Sequence, residues 1–312
     1  GLALTQMTPA ILDNRVKAMY IMGENPVLSD PNADHLEEAL RKLDFLVVQD
    51  IFMTETARLA DVVLPAASFA EKDGTFTNTE RRVQRVRKAL NPPGNAMADW
   101  EIIRDLAARM GHPMPYRSPE EIFVEMATLV PSYAGISYER LERGGLQWPC
   151  PDRHHPGTRI LHKDRFARGL GKFHAVGFRP SVELPDDEFP LVLSTGRRRY
   201  HYHTGTMTRR SRGLDHVAPE ERLEVHPEDA ARLGIEDGER VRLVSRRGQI
   251  ETRVLISQRP QPGMVFGTFH FQEVPINRLT NDALDPVGKI PELKVCAVRI
   301  EEISEGAEGT GE

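Results

Sequence analysis

Between residues 16 and 130, apolar residues fall in short runs, each closed by a turn or followed by a stretch with helical spacing. The run Val16-Lys-Ala-Met-Tyr-Ile-Met22 ends at Gly23-Glu-Asn-Pro26, which predicts a strand and then a turn. Over 34–43, Leu36, Ala39, Leu40 and Leu43 recur at the spacing of one helix face. Residues 45–49 read as a second, buried strand, 54–59 as a brief helix and 61–65 as a third strand. Asp99 is expected to N-cap a helix that carries Ile102, Ile103, Leu106 and Met110 and stops at Gly111 and Pro113. Strand–helix–strand order with short loops predicts a parallel α/β (Rossmann-like) layer, assigned to 1–130.

From residue 189 the periodicity becomes that of short strands, expected at 190–195, 222–225, 240–245, 249–256, 264–268 and 294–300. One small helix is expected at 227–233, and Arg246-Arg-Gly248 reads as a hairpin turn. Many short strands separated by turn signals predict a compact β-barrel over 186–303. The stretch 131–185, rich in Pro, Gly and His, reads as an irregular connection, and the Gly- and Glu-rich tail 304–312 as disordered. No internal repeat is seen.

Composition narrows the class. At 312 residues the chain accommodates two domains with separate cores, and 28% charged residues is ordinary for a globular protein. No apolar run approaches the roughly 20 residues that span a bilayer, and the N-terminus does not read as a signal peptide. No membrane span and a cytoplasmic location are therefore expected. A chain whose first residue is Gly1 is expected to be a fragment or a processed product. Cys150 and Cys296, the two cysteines, lie outside any C-x-x-C. This chain alone therefore cannot hold a Cys-ligated iron–sulfur cluster or a cysteine zinc site. Two reduced thiols are expected, with a single disulfide as the alternative. His154-His155 lacks a carboxylate at ligand spacing and reads as loop.

The strongest local contrast lies at 193–212, where six arginines and two histidines accompany two glycines, in a chain of net charge −5. Gly196 and Gly205 allow close backbone approach to a ligand, and arginines with hydroxyls match phosphate oxygens. A solvated basic loop is the competing reading. An apolar strand leads directly into the run, which places it at a strand end and favours a polyanion site. The acidic overall balance argues against nucleic acid.

Several segments then carry a family resemblance. Tyr20-Ile-Met-Gly-Glu-Asn-Pro26, Val48-Gln-Asp-Ile-Phe-Met-Thr-Glu-Thr-Ala57, Ala60-Asp-Val-Val-Leu-Pro65, Glu71-Lys-Asp-Gly-Thr-Phe-Thr-Asn78 and Glu80-Arg-Arg82 occur in order. Thr195-Gly-Arg, His203-Thr-Gly-Thr-Met-Thr-Arg209, Asn277-Arg-Leu-Thr280 and Lys294-Val-Cys-Ala-Val298 follow. Together they resemble the molybdopterin (or tungstopterin) oxidoreductases that carry bis-molybdopterin guanine dinucleotide. Within that family the likeness is to formate dehydrogenase alpha subunits, to which Gln147-Trp-Pro-Cys150 adds.

The resemblance implies a double-psi type for the barrel and molybdenum or tungsten as the metal. It also implies iron–sulfur clusters and a metal ligand only in an N-terminal half absent from this chain, so no catalytic or metal-ligating residue is expected here. The implied partners are that missing half and the electron-transfer subunits or acceptor. Gly23, Asn25, Ser29, Gln49, Asp50 and Asp99 are implied to line a guanosine pocket, with Lys72 near a phosphate. Thr195, Gly196, Arg197, His201, His203 and Thr204 are implied to wrap pterin and pyrophosphate, with Asn277 and Lys294 as late pterin contacts. Phe269 is implied to lie near the substrate. Arg198 and Arg199 are not carried over. Apart from the resemblance, Asp99 serves equally as a helix cap, Asn25 as a turn residue, Lys72 as a solvated cation and Phe269 as barrel packing. The rivals are another family member, such as a nitrate reductase or the large NADH-quinone reductase subunit, and a non-catalytic binding module.

Overall fold

A computed structural model of the protein describes residues 1–303. In chain order the elements begin with α1 (Leu4–Leu12), β1 (Ala18–Met22), α2 (Pro26–Ser29), α3 (Ala33–Arg41), β2 (Phe45–Asp50) and β3 (Val62–Pro65). Next come β4 (Gly74–Thr77), β5 (Arg82–Val86), α4 (Asp99–Arg109), α5 (Pro119–Leu129), α6 (Tyr138–Leu141) and β6 (Leu146–Gln147). The last part holds β7 (Leu191–Gly196), α7 (Arg212–Val217), β8 (Arg222–Val225), α8 (Pro227–Leu233), β9 (Arg240–Ser245), β10 (Gln249–Ile256), β11 (Met264–Thr268) and β12 (Cys296–Glu302). Residues 1–63 with those from 179 onward form one compact unit, and 64–178 form another. The tail expected to be disordered, 304–312, lies outside the described residues.

In the first unit β1 and β2 pair in parallel, with Tyr20 opposite Val47. β3 completes a three-stranded sheet in the order β1-β2-β3. Leu36 and Leu40 of α3 meet Ile21, Leu46, Val48 and Ala57 in one buried cluster, as their helical spacing predicted. The brief helix expected at 54–59 is reduced to a single 3-10 turn, Ala57–Leu59, ahead of which Thr54 Oγ1 accepts the Ala57 N–H (3.1 Å).

Six strands in the same unit close a barrel, β10-β8-β11-β7-β12-β9. The pairs β8–β10 and β7–β11 are parallel, and the other pairings are antiparallel. This mixture agrees with the double-psi expectation. Period-two alternation sends Leu191, Leu193, Leu223, Val225, Val241, Leu243, Ile250, Val254, Val265 and Val298 inward. Each fully buried aliphatic of this kind is worth about 1.5–3 kcal/mol against its exposed state. The hairpin at Arg246–Gly248 joins β9 to β10, with the Ser245 N–H on the Gly248 carbonyl (2.9 Å).

The second unit departs from the expected parallel layer. Here β4-β5-β6 is an antiparallel sheet. The Asn78 side chain accepts the N–H groups of Glu80 (3.1 Å) and Arg82 (3.0 Å), closing a turn that reverses the chain at once and leaves no crossover for parallel pairing. The stretch 131–150 is not irregular throughout. Ile136, Tyr138, Leu141 and Cys150 pack with Val83 and Phe123 in a core of this unit. Asp99 is the first residue of α4 rather than its cap. Ala98 holds the cap position, and the Glu101 carboxylate accepts its N–H (3.1 Å). Of the apolar face expected on that helix only Ile102 is buried, while Ile103, Leu106 and Met110 are exposed. No helix among the described residues is long and apolar enough to cross a membrane.

Candidate functional site

The arginine-rich run leaves the barrel at the end of β7 and folds back against residues 268–271. Small residues make this approach possible. A Cβ on Gly196 would stand 2.5 Å from the Phe266 ring, and one on Gly205 (φ +73°) would stand 2.4 Å from the His270 carbonyl oxygen. Thr195 is buried, with Oγ1 donating to the Leu293 carbonyl (2.6 Å), and Lys294 Nζ donates to the Thr195 carbonyl (2.5 Å). Arg197 lies over the Phe269 ring (5.5 Å), and His203 packs edge-on against the same ring (5.4 Å). Thr204 Oγ1 pairs with Thr206 Oγ1 (2.7 Å). His201 is buried, with Nε2 2.7 Å from the Ala218 carbonyl, so that nitrogen carries the proton. Arg197, His203, Phe269 and Lys294 therefore lie together above the buried Thr195. His201 faces inward and anchors the loop.

Electrostatics agree with an anion site. Burial first, and then the Arg197 charge, lower the proton affinity of both His203 and Lys294. Positive charges are thus crowded at the end of β7. Arg198 differs. Its guanidinium donates to the Arg222 carbonyl and lies 3.8 Å from the buried Glu221 carboxylate, so it serves the barrel wall. On the outer barrel face a groove of about 840 Å³ is lined by Arg197, Arg198, Arg199, Arg222, Glu224 and Arg259 among others.

The strand-end residues gather in the same unit. Gly23 donates its N–H to the Gln49 carbonyl (2.9 Å), which ties the exits of β1 and β2 together. Gln49 accepts from the Tyr20 hydroxyl, and Asp50 Oδ1 accepts the Phe52 N–H (3.1 Å). Asn25 is committed to its surroundings, accepting from Thr56 N–H (3.2 Å) and Oγ1 (2.8 Å) and donating to Glu55 (2.7 Å). Ser29 Oγ donates to Asp30 (3.0 Å). Asn277 joins this group to the barrel. Its Nδ2 donates to the carbonyls of Leu28 (2.8 Å) and Ser29 (3.2 Å), and Arg210 stacks over Phe52 (4.3 Å). Strand exits of an open α/β sheet are where nucleotides bind.

Lys72 and Asp99 lie in the second unit, where they form an ion pair beside a cavity of about 310 Å³ lined by Phe76, Trp100 and Tyr138. Both cysteines are free and buried. His155 is half-buried, and its Nδ1 accepts the Gly157 N–H (3.1 Å). Among the described residues no group of three His, Cys, Asp or Glu side chains is placed to hold a metal ion. Sequence reading missed Glu221 and His270, both buried beneath the arginine loop. A histidine inside the apolar run Thr268-Phe-His-Phe271 was the available signal.

Residues 1–109 match the Molybdopterin oxidoreductase family, and residues 191–297 match the Molydopterin dinucleotide binding domain. These stretches take up more than half of the chain and coincide with the strand-end group and the barrel loop. The chain belongs to the molybdopterin oxidoreductases. Among its relatives, the F420-dependent formate dehydrogenase subunit alpha of Methanocaldococcus jannaschii is 54% identical over 97% of this chain and 46% of its own length. The assimilatory nitrate reductase catalytic subunit of Bacillus subtilis is 42% identical over 96% of this chain and 44% of its own. The chain thus spans under half the length of the curated relatives it matches. The fold is that of acetylene hydratase from Pelobacter acetylenicus, with a TM-score of 0.73 at 20% identity, over 97% of this chain and 47% of that one.

Proposed function

We propose that this chain is the cofactor-holding portion of a formate dehydrogenase catalytic subunit, which converts formate to CO2 and passes two electrons to an acceptor. One observation supports the cofactor reading above the rest. Asn277 is 2% exposed, and its Oδ1 has no hydrogen-bond partner although Nδ2 has two. A buried, unpaired amide oxygen costs about 1–3 kcal/mol, so it fits a site that receives a donor. A reduced pterin, rich in ring N–H groups, supplies one, and Lys294 offers it a point charge, while Arg197 matches pyrophosphate. The residues therefore fit the group.

In this reading the cofactor is bis-molybdopterin guanine dinucleotide with molybdenum or tungsten, and clusters and metal ligand come from outside this chain. The bound metal–pterin supplies the two-electron chemistry. This chain's residues bind and orient it. Arg197 holds negative charge, Asn277 and Lys294 meet the pterin, and Gly23, Asn25, Ser29, Gln49 and Asp50 recognise guanosine. Gly196, His201 and Thr204 shape the loop, and Phe269 faces the substrate side. Electron-transfer partners and a cytoplasmic location belong to the same reading.

Formate is preferred to nitrate because the formate dehydrogenase relative is the more similar, 54% against 42%. The test is metal analysis of the purified subunit, GMP release on acid hydrolysis, and dye reduction with formate beside dye oxidation with nitrate. F420, named for the archaeal relative, is the natural acceptor to try. Protein without GMP removes the cofactor reading. Nitrate turnover without formate turnover moves the assignment to the nitrate reductases.

A further inference from the structure

His270 is fully buried, directly after β11, and both of its ring nitrogens are used. Nε2 accepts the backbone N–H of Arg198 (2.7 Å), and Nδ1 meets the backbone carbonyl of His203. An amide N–H cannot accept and a carbonyl cannot donate. The two partners therefore admit one neutral form, protonated on Nδ1. The two partners are not neighbours in sequence. They open and close the turn of chain from Arg198 to His203, which carries His201 and begins directly after Arg197, so a single imidazole bridges the base of that loop. Packing holds the ring in place. The His201 ring centroid lies 5.7 Å away, and the rings of Phe269 (5.6 Å) and Phe271 (6.2 Å) flank it.

We propose that His270 is a positioning residue for the arginine loop, fixing by its two ring nitrogens the spacing of the backbone that presents Arg197 and His203. The charges around the ring require its neutral form. Arg197, Arg198 and His201 surround it, and burial first, then these neighbours, lower its proton affinity. A protonated ring would point a donor at the Arg198 N–H and release that end of the loop. The link from loop to cofactor rests on the function proposed above, whereas the bridge itself does not.

Three substitutions separate the two bonds. His270→Gln places an acceptor near the Nε2 position, His270→Asn places a donor near the Nδ1 position, and His270→Phe keeps an aromatic ring without either. Hydrogen exchange of the Arg198 amide in the wild-type chain and each variant is the first readout. Phe and Asn should accelerate it by roughly 10- to 100-fold, the effect of losing one buried hydrogen bond, while Gln should restore most of the protection. Ring nitrogen chemical shifts of wild-type His270 should report the Nδ1–H form, independently of any variant's folding. An Nε2–H form, or unchanged Arg198 exchange in folded His270→Phe, overturns the proposal. GMP content of the holoenzyme variants then addresses the cofactor link. Faster exchange with reduced GMP supports both readings. Faster exchange with full GMP supports the bridge and overturns the loop's role in holding cofactor. Reduced GMP with unchanged exchange overturns the bridge alone.

Discussion

Glu221 sits in the barrel wall at 3% exposure, and its ionisation should set a pH dependence of stability that one substitution removes. Its carboxyl accepts from the Thr268 N–H (2.9 Å) and from the Thr268 hydroxyl, with the Arg198 guanidinium 3.8 Å away. Burial outweighs these favourable contacts, the Glu224 carboxylate adds to it, and the affinity for a proton rises from the usual 4.5 to about 7. The sign follows from linkage. Below pH 4.5 the group is protonated in both folded and unfolded chains and stability is unaffected. Between 4.5 and 7 the unfolded chain releases the proton while the folded chain keeps it, so stability falls as pH rises. Above 7 the loss is complete. Each pH unit is worth about 1.4 kcal/mol, so the total is about 3–4 kcal/mol. In Glu221→Gln the amide oxygen still accepts from the Thr268 N–H and no proton is lost. Urea unfolding of both proteins at pH 4.5, 6, 7 and 8.5 should show the variant gaining about 3 kcal/mol on wild type across the range. Parallel stability curves, or a gap that closes as pH rises, would refute the reasoning.

Other expectations follow from the same contacts. Asn277→Ala loses two donor bonds of about 0.5–1.5 kcal/mol each but also removes the unpaired Oδ1. Unfolding free energy without cofactor should therefore change by less than about 1 kcal/mol, while bound GMP in the holoenzyme falls. Arg197→Ala should weaken cofactor retention by about 1.5–3 kcal/mol, or roughly 10- to 100-fold, and less at high salt; undiminished metal content would make that arginine structural. Leu243→Ala, in the barrel core, should cost about 2–5 kcal/mol in denaturant unfolding, whatever the state of the site. The 312-residue chain alone should show no formate-dependent dye reduction, since Cys150 is buried and burial pushes the Cys296 thiol up to about 12. Dye reduction above a blank would place a metal ligand within this chain.

The strands 222–225, 240–245, 249–256 and 264–268 and the helix 227–233 were legible in the chain and are found at those limits. Their signal is local, because a strand with one face in the core must alternate and a short helix needs only its cap and its stop. The arginine-rich run was legible as the exit of a strand, and it leaves the barrel at the end of β7. What the chain did not show locally was pairing. The β4–β5 hairpin escaped notice because Val83 is its one deeply buried apolar residue, too little to make a pattern. α5 was marked by Ser118-Pro119-Glu120-Glu121, a cap and first turn that alternation alone overlooks. The parallel β7–β11 pairing and the antiparallel β8–β11 pairing bring His270 under Arg198 and Glu221 onto Thr268. Those contacts join residues 47 to 72 positions apart, and no periodicity encodes them. Local alternation thus determined the elements of the barrel. Tertiary closure of the barrel decided which groups lost their water, and so which acid keeps its proton and which imidazole stays neutral.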